Sequence, residues 1–116
     1  MSDMPLSLSV GLRRCFGKPE LLERLLRLFL DEQHDVPASI ATAIREDAVE
    51  SAIAKAHGLV SRAGAIGAEA LSRIASELED ALRDRRTELW PALTAALLDE
   101  HARVTRAAAD HLGLAR

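Results

Sequence analysis

Apolar residues recur every three to four positions along most of this chain, and this spacing constrains the fold more than any other feature. The pattern is present in four long segments, 19–34, 47–63, 68–85 and 88–111. Such spacing places the apolar side chains on one side of an α-helix. Strong helix formers dominate the composition, and aromatic residues make up only 3% of it. The sequence therefore predicts an all-α protein with an aliphatic core.

Residues that start and stop helices divide the first part of the chain. A short apolar stretch, Leu6–Phe16, precedes a Gly and then Pro19, where a helix is expected to begin and to run to about His34. Asp35, followed by Pro37 in the first turn, is expected to open the next helix.

Similar signals organise the second part. Asp47 and Glu50 have the spacing of a capping box, which predicts a helix that begins there and ends at Gly64 and Gly67. The last two helices are expected over about 68–85 and 88–111. Because connections of two to five residues join antiparallel neighbours, we expect an antiparallel up-down four-helix bundle with a short extra N-terminal helix. Residues 1–116 are expected to form a single domain.

Composition argues against several classes of function. The net charge of −3 is spread without a basic stripe, which argues against nucleic-acid binding. No apolar run approaches the roughly 20 residues of a membrane span, and no signal peptide is recognisable. The lone Cys15 has no partner for a disulfide, and His34, His101 and His111 have no metal-ligand spacing and are expected to be structural or solvated. A cytoplasmic monomer without a bound metal or cofactor is predicted.

The candidate for chemistry is His57, in the middle of the second long segment. The helical period places three small or apolar residues on its face: Val60, Ser61 and Gly64. Gly58 adjoins it, although glycine inside a helix costs about 1 kcal/mol relative to alanine. This face suits close approach by another protein. The alternative is that His57 is an ordinary surface or boundary residue.

The same stretch resembles the central motif of the histidine-containing phosphotransfer (HPt) domains of bacterial multistep phosphorelays. Their motif runs Ala-His-x-Leu-Lys-Gly, then small residues, then a hydrophobic residue with Gly-Ala. This chain reads Ala-His-Gly-Leu-Val-Ser over 56–61, Ala-Gly at 63–64 and Ile-Gly-Ala over 66–68. Flanking matches are present at 11–13, 17, 21–29, 71, 78–79 and 81–82. The resemblance covers about residues 8–111 and implies a four-helix bundle.

The resemblance also implies a phosphorelay intermediate. His57 would accept a phosphoryl group from a phospho-aspartate of a receiver domain and pass it to another receiver. The partners would be receiver domains of response regulators or of hybrid sensor histidine kinases, and they would supply the acidic pocket and Mg²⁺. The chain itself would be a phosphocarrier without kinase activity. Imidazole suits this role because its neutral form offers a nitrogen lone pair near pH 7.

Glu79 falls where the family commonly carries Gln or Glu. Its implied role is to hold the proton-bearing nitrogen of His57, so that the other nitrogen is exposed. The alternative is that Glu79 only forms a solvated i, i+4 pair with Arg83.

Two positions depart from the family motif: Val60 replaces the usual Lys, and Ser61 replaces the usual Gly. The first change removes a cation near His57, and Lys55 and Arg62 lie about 140–160° around the helix from it. We expect Gly58, Val60, Ser61 and Gly64 to form the binding surface. The departures leave open a second interpretation, a transfer-impaired interaction module that regulates a sensor kinase or response regulator by binding.

Overall fold

The computed structural model describes residues 4–114 and has no β-strand in that range. Over these residues there are six α-helices: α1 (Leu8–Arg14), α2 (Pro19–Glu32), α3 (Val36–Arg45), α4 (Val49–Ala65), α5 (Glu69–Arg83) and α6 (Trp90–Leu112). A 3₁₀ turn, Thr87–Leu89, precedes α6. The prediction of an all-α four-helix bundle with a short N-terminal helix is confirmed.

Each long helix buries the apolar stripe that the sequence pattern predicts. On α5 the stripe is Leu71, Leu78 and Leu82, all with no exposed surface. On α2, Leu22 and Leu26 pack inward with Phe29. Spacing of three, four and seven residues brings these side chains onto one side of each helix, so the bundle closes around an aliphatic core.

The expectation that consecutive helices are antiparallel neighbours is wrong for α2 and α3. Within the described residues these two helices do not contact each other, and both pack against α4 and α6. They are therefore successive segments of one arm of the bundle, which is broken at residues 33–35. At the break, the carbonyl of Gln33 accepts a hydrogen bond from His101 Nε2 at 2.8 Å and a longer one from the amide of Val36 at 3.4 Å.

Four connections between the described helices share one turn geometry. In each, a residue with positive φ follows the helix, and the next amide reaches back to a carbonyl five residues earlier: Phe16 (φ 58°), Asp47 (φ 59°), Gly67 (φ 85°) and Arg85 (φ 56°). The capping box at Asp47 and Glu50 is consequently wrong, because Asp47 ends α3 and Ala48 is the N-cap of α4, with no side-chain cap. Gly67 ends α4 as expected, whereas Gly64 lies inside its last turn.

Helix α1 packs its backbone directly on the turn between α4 and α5. The amide of Ser7 donates to the carbonyl of Gly67 at 2.9 Å. A Cβ added at Gly67 would overlap the carbonyl oxygen of Ser7, and one at Gly11 would lie 2.7 Å from the carbonyl oxygen of Ile66. Two glycines therefore allow α1 to approach the end of α4.

Candidate functional site

His57 lies near the middle of α4, with its side chain 68% exposed. Its ring nitrogen Nδ1 is 3.0 Å from Oε2 and 3.3 Å from Oε1 of Glu79, which α5 presents from the opposite side of the α4–α5 interface. Since a carboxylate can only accept, Nδ1 carries the proton and donates a hydrogen bond to Glu79. Within the described residues, Nε2 has no hydrogen-bond partner, so its lone pair faces solvent.

Glu79 is held from two sides. Its side chain is only 12% exposed. Besides the contact with His57, Oε2 accepts hydrogen bonds from Nε and Nη2 of Arg83 at 3.0 and 2.9 Å. The two contacts that the sequence offered as alternatives for Glu79 are therefore formed at the same time. Arg83 fixes the carboxylate in the orientation that meets the imidazole, since charge-assisted hydrogen bonds are short and directional.

The predicted binding-surface residues lie along the edge of α4 near His57. Ser61 is exposed, whereas Gly58, Val60 and Gly64 are half-buried. Val60 packs against the core, and its carbonyl accepts a hydrogen bond from the hydroxyl of Ser72 on α5 at 2.9 Å. The surface beside the imidazole is therefore shallow and built from small side chains.

A groove of about 350 Å³ runs beside this edge between α4 and α5. Its cations are paired with carboxylates: Arg14 lies 3.2 Å from Glu69, and Arg73 lies 3.9 Å from Glu77. Arg14 also donates to the carbonyl of Gly64. Sequence reasoning missed Arg14, because its contact with Gly64 joins residues 50 positions apart and leaves no local signal.

The other histidines serve helix ends or solvent. Burial lowers the pKa of His101, whose ring also packs near Phe29 with 5.7 Å between ring centroids. Nδ1 of His34 lies 3.0 Å from the carbonyl oxygen of Asp31, at the C-terminal end of α2. His111 is exposed. None of them lies beside His57 in the contacts that the described residues form.

In the part of the chain that the structure describes, no three or more His, Cys, Asp or Glu side chains are grouped so that they could hold a metal ion. None of the described helices is long and apolar enough to cross a lipid bilayer.

Comparisons with known proteins concern the family and the fold of the chain. The family model for the Hpt domain matches residues 24–107, a range that contains both His57 and Glu79. A similar solved structure is the HPT domain of the Hpt sensor hybrid histidine kinase from Shewanella, with a TM-score of 0.86, 24% sequence identity and 95% of each chain covered. A comparison with curated proteins gave no match. The chain belongs to the Hpt domain family, the phosphotransfer domains of phosphorelays.

Proposed function

We propose that His57 is the phosphoryl acceptor of this domain and that the chain relays the group between two receiver domains as a phosphocarrier with no kinase activity of its own. The observation that supports this proposal is the contact between Nδ1 and Glu79 at 3.0 Å, which leaves Nε2 free on an exposed edge. An imidazole held in this tautomer is oriented for attack through Nε2. The exposed edge gives a protein partner access to it.

The proposed transfer needs no base. The Nε2 lone pair attacks the phosphorus of the receiver's phospho-aspartate, the N–P bond forms, and the P–O bond breaks with its electron pair leaving on the aspartate carboxylate. The proton stays on Nδ1, so the phosphorylated ring carries a positive charge 3.0 Å from Oε2 of Glu79. A preorganised carboxylate at that distance stabilises the charge as it develops. Reversal of the same steps delivers the group to a second receiver.

The partner supplies the remaining chemistry in this proposal. Receiver domains of response regulators or hybrid sensor kinases would bring Mg²⁺ to neutralise the transferring group, and this chain would bring the nucleophile. The related kinase from Shewanella contains its HPT domain within a hybrid sensor. We further propose that this domain acts as a monomer in the cytoplasm and binds its receivers one at a time.

Phosphotransfer from receiver domains charged with acetyl phosphate tests the proposal. Label on the wild-type chain that is acid-labile and base-stable, and its loss in His57→Gln, are the expected results. Because Nδ1 is occupied by Glu79, the label should be on Nε2, which NMR of the phosphorylated ring can establish. Equal labelling of His57→Gln would refute the assignment.

The interaction-module interpretation predicts a different outcome. If binding alone regulated the partner, His57→Ala would keep full signalling activity in cells while losing phosphotransfer in vitro. Loss of both activities supports the relay. His111→Ala is a suitable control, because it removes an exposed histidine from the last turn of α6.

A further inference from the structure

The side chain of Arg62 lies against Gly58, at the place where a longer side chain at position 58 would begin. A Cβ added at Gly58 would lie 3.0 Å from Nη1 of Arg62, and no other described atom outside the local backbone lies within 4 Å of it. Nη1 of Arg62 also donates to the carbonyl of Gly58 at 3.3 Å. The guanidinium therefore folds back by one helical turn and lies where a side chain at position 58 would begin. That position is adjacent to His57 in the chain.

Arg62 also differs from the other arginines near the site in its electrostatic surroundings. Arg14 and Arg83 lie within 3.2 Å of a carboxylate oxygen, which offsets their charge. Among the described residues, no carboxylate lies within ion-pairing distance of Arg62. Arg62 and Glu32 both line an apolar cavity of about 130 Å³ between α2 and α4, but they form no ion pair with each other. Arg62 thus offers an unneutralised positive charge on an exposed part of α4.

We infer that Arg62, folded back over Gly58, supplies the cation that draws an incoming phosphorylated receiver onto His57, and that Gly58 is present because it leaves room for the guanidinium. The inference rests on the proposed function. The group to be transferred carries negative charge, so an unpaired cation on the same exposed helix as the nucleophile favours the encounter at the distances over which exposed charges act at low salt. Val60 cannot provide this cation, because it is apolar and half-buried against the core. Arg62 is in these terms a positioning residue rather than a catalytic one.

The rate of transfer at two salt concentrations tests the inference. The phosphodonor is the receiver domain, charged with acetyl phosphate, that transfers fastest to the wild-type chain. At about 20 mM NaCl, Arg62→Ala is expected to lower the second-order rate constant by about 3- to 10-fold, since exposed charges act over long distances at low ionic strength. At about 500 mM NaCl the two rates should converge. Arg62→Lys should keep most of the rate.

A neutral side chain that can still form the hydrogen bond separates an electrostatic role from a merely structural one. Arg62→Gln can still donate to the carbonyl of Gly58 but carries no charge, so at low salt it should lose about as much rate as Arg62→Ala. Arg106→Ala is the matched control. It removes one exposed positive charge from α6, which makes no contact with α4 within the described residues.

The outcomes distinguish this inference from the proposed function. If Arg62→Ala matches Arg106→Ala in rate and salt dependence, or if Arg62→Gln keeps the wild-type rate at low salt, the role of Arg62 is refuted while His57 remains the acceptor. If no receiver labels the wild-type chain, or if His57→Gln is labelled equally, the proposed function fails and the inference fails with it.

Discussion

Replacing Glu79 by alanine should lower the rate of phosphotransfer without unfolding the bundle. The variant removes the acceptor that lies 3.0 Å from Nδ1 of His57 and is only 12% exposed. A hydrogen bond to a charged group contributes about 1.5–3 kcal/mol, which corresponds to about 10- to 100-fold in rate at 1.4 kcal/mol per factor of ten. Because His57 itself is 68% exposed, we expect the lower half of that range. Glu79→Gln keeps an acceptor but loses the charge, so its rate should lie between those of alanine and wild type.

The assay is single-turnover transfer from a labelled receiver at saturating concentration, with the thermal midpoint measured on the same samples. Glu77→Ala is the control, since it removes a carboxylate from the same helix that pairs with Arg73 and not with His57. A wild-type rate in Glu79→Ala, together with no transfer in His57→Gln, would show that the carboxylate does not orient the imidazole. Equal losses of transfer rate in Glu79→Ala and Glu77→Ala would indicate a general effect on α5. That result would also contradict an orienting role for Glu79.

Three further predictions concern stability. Gly67→Ala should destabilise the fold by about 3 kcal/mol in denaturant unfolding, because φ of 85° strains alanine and the new Cβ would overlap Ser7. Arg85→Gly should stabilise by about 0.5–1 kcal/mol and raise the thermal midpoint by a few degrees, since glycine tolerates φ of 56°; an unchanged midpoint would contradict this. Burial lowers the pKa of His101 below its ordinary 6.5, so the unfolded chain takes up this proton first, and stability should be full above pH 6.5 and fall below it. Urea unfolding at pH 7.5 and 5.5 should show a smaller loss of stability on acidification in His101→Gln than in the wild type. The amide of the glutamine can still donate to the carbonyl of Gln33.

Periodicity predicted the helices and the exposed face of His57, because both depend on spacing within about seven residues. The arrangement of α2 and α3 could not be predicted in the same way. It depends on a hydrogen bond between His101 and Gln33, which are 68 positions apart. The turn at Asp47 was ambiguous for a local reason: aspartate suits both an N-cap and a position with positive φ. In the structure Asp47 takes the position with positive φ, where the amide of the next residue, Ala48, donates to the carbonyl of Ala43 at 2.8 Å.

The residues of the site also differ in whether the sequence could predict them. The motif pointed to His57, and the resemblance to HPt domains pointed to Glu79 on the next helix. The position of Arg62 did not follow, because its backbone lies well around the helix from His57 and only the rotamer of its long side chain returns the guanidinium to Gly58. Rotamers of exposed arginines leave no trace in residue spacing.

The packing of α1 on the α4–α5 turn has a consequence for the order of folding. The pairs α3–α4, α4–α5 and α5–α6 pack as neighbours in the chain, whereas α1 docks through Ser7 and Gly11 onto residues more than 50 positions away. Closing so long a loop for a seven-residue helix is favourable only after its docking surface exists. The α1 segment should therefore form late on the pathway and open first in the native state, so its amides should lose protection against hydrogen exchange well before those of α4 and α5.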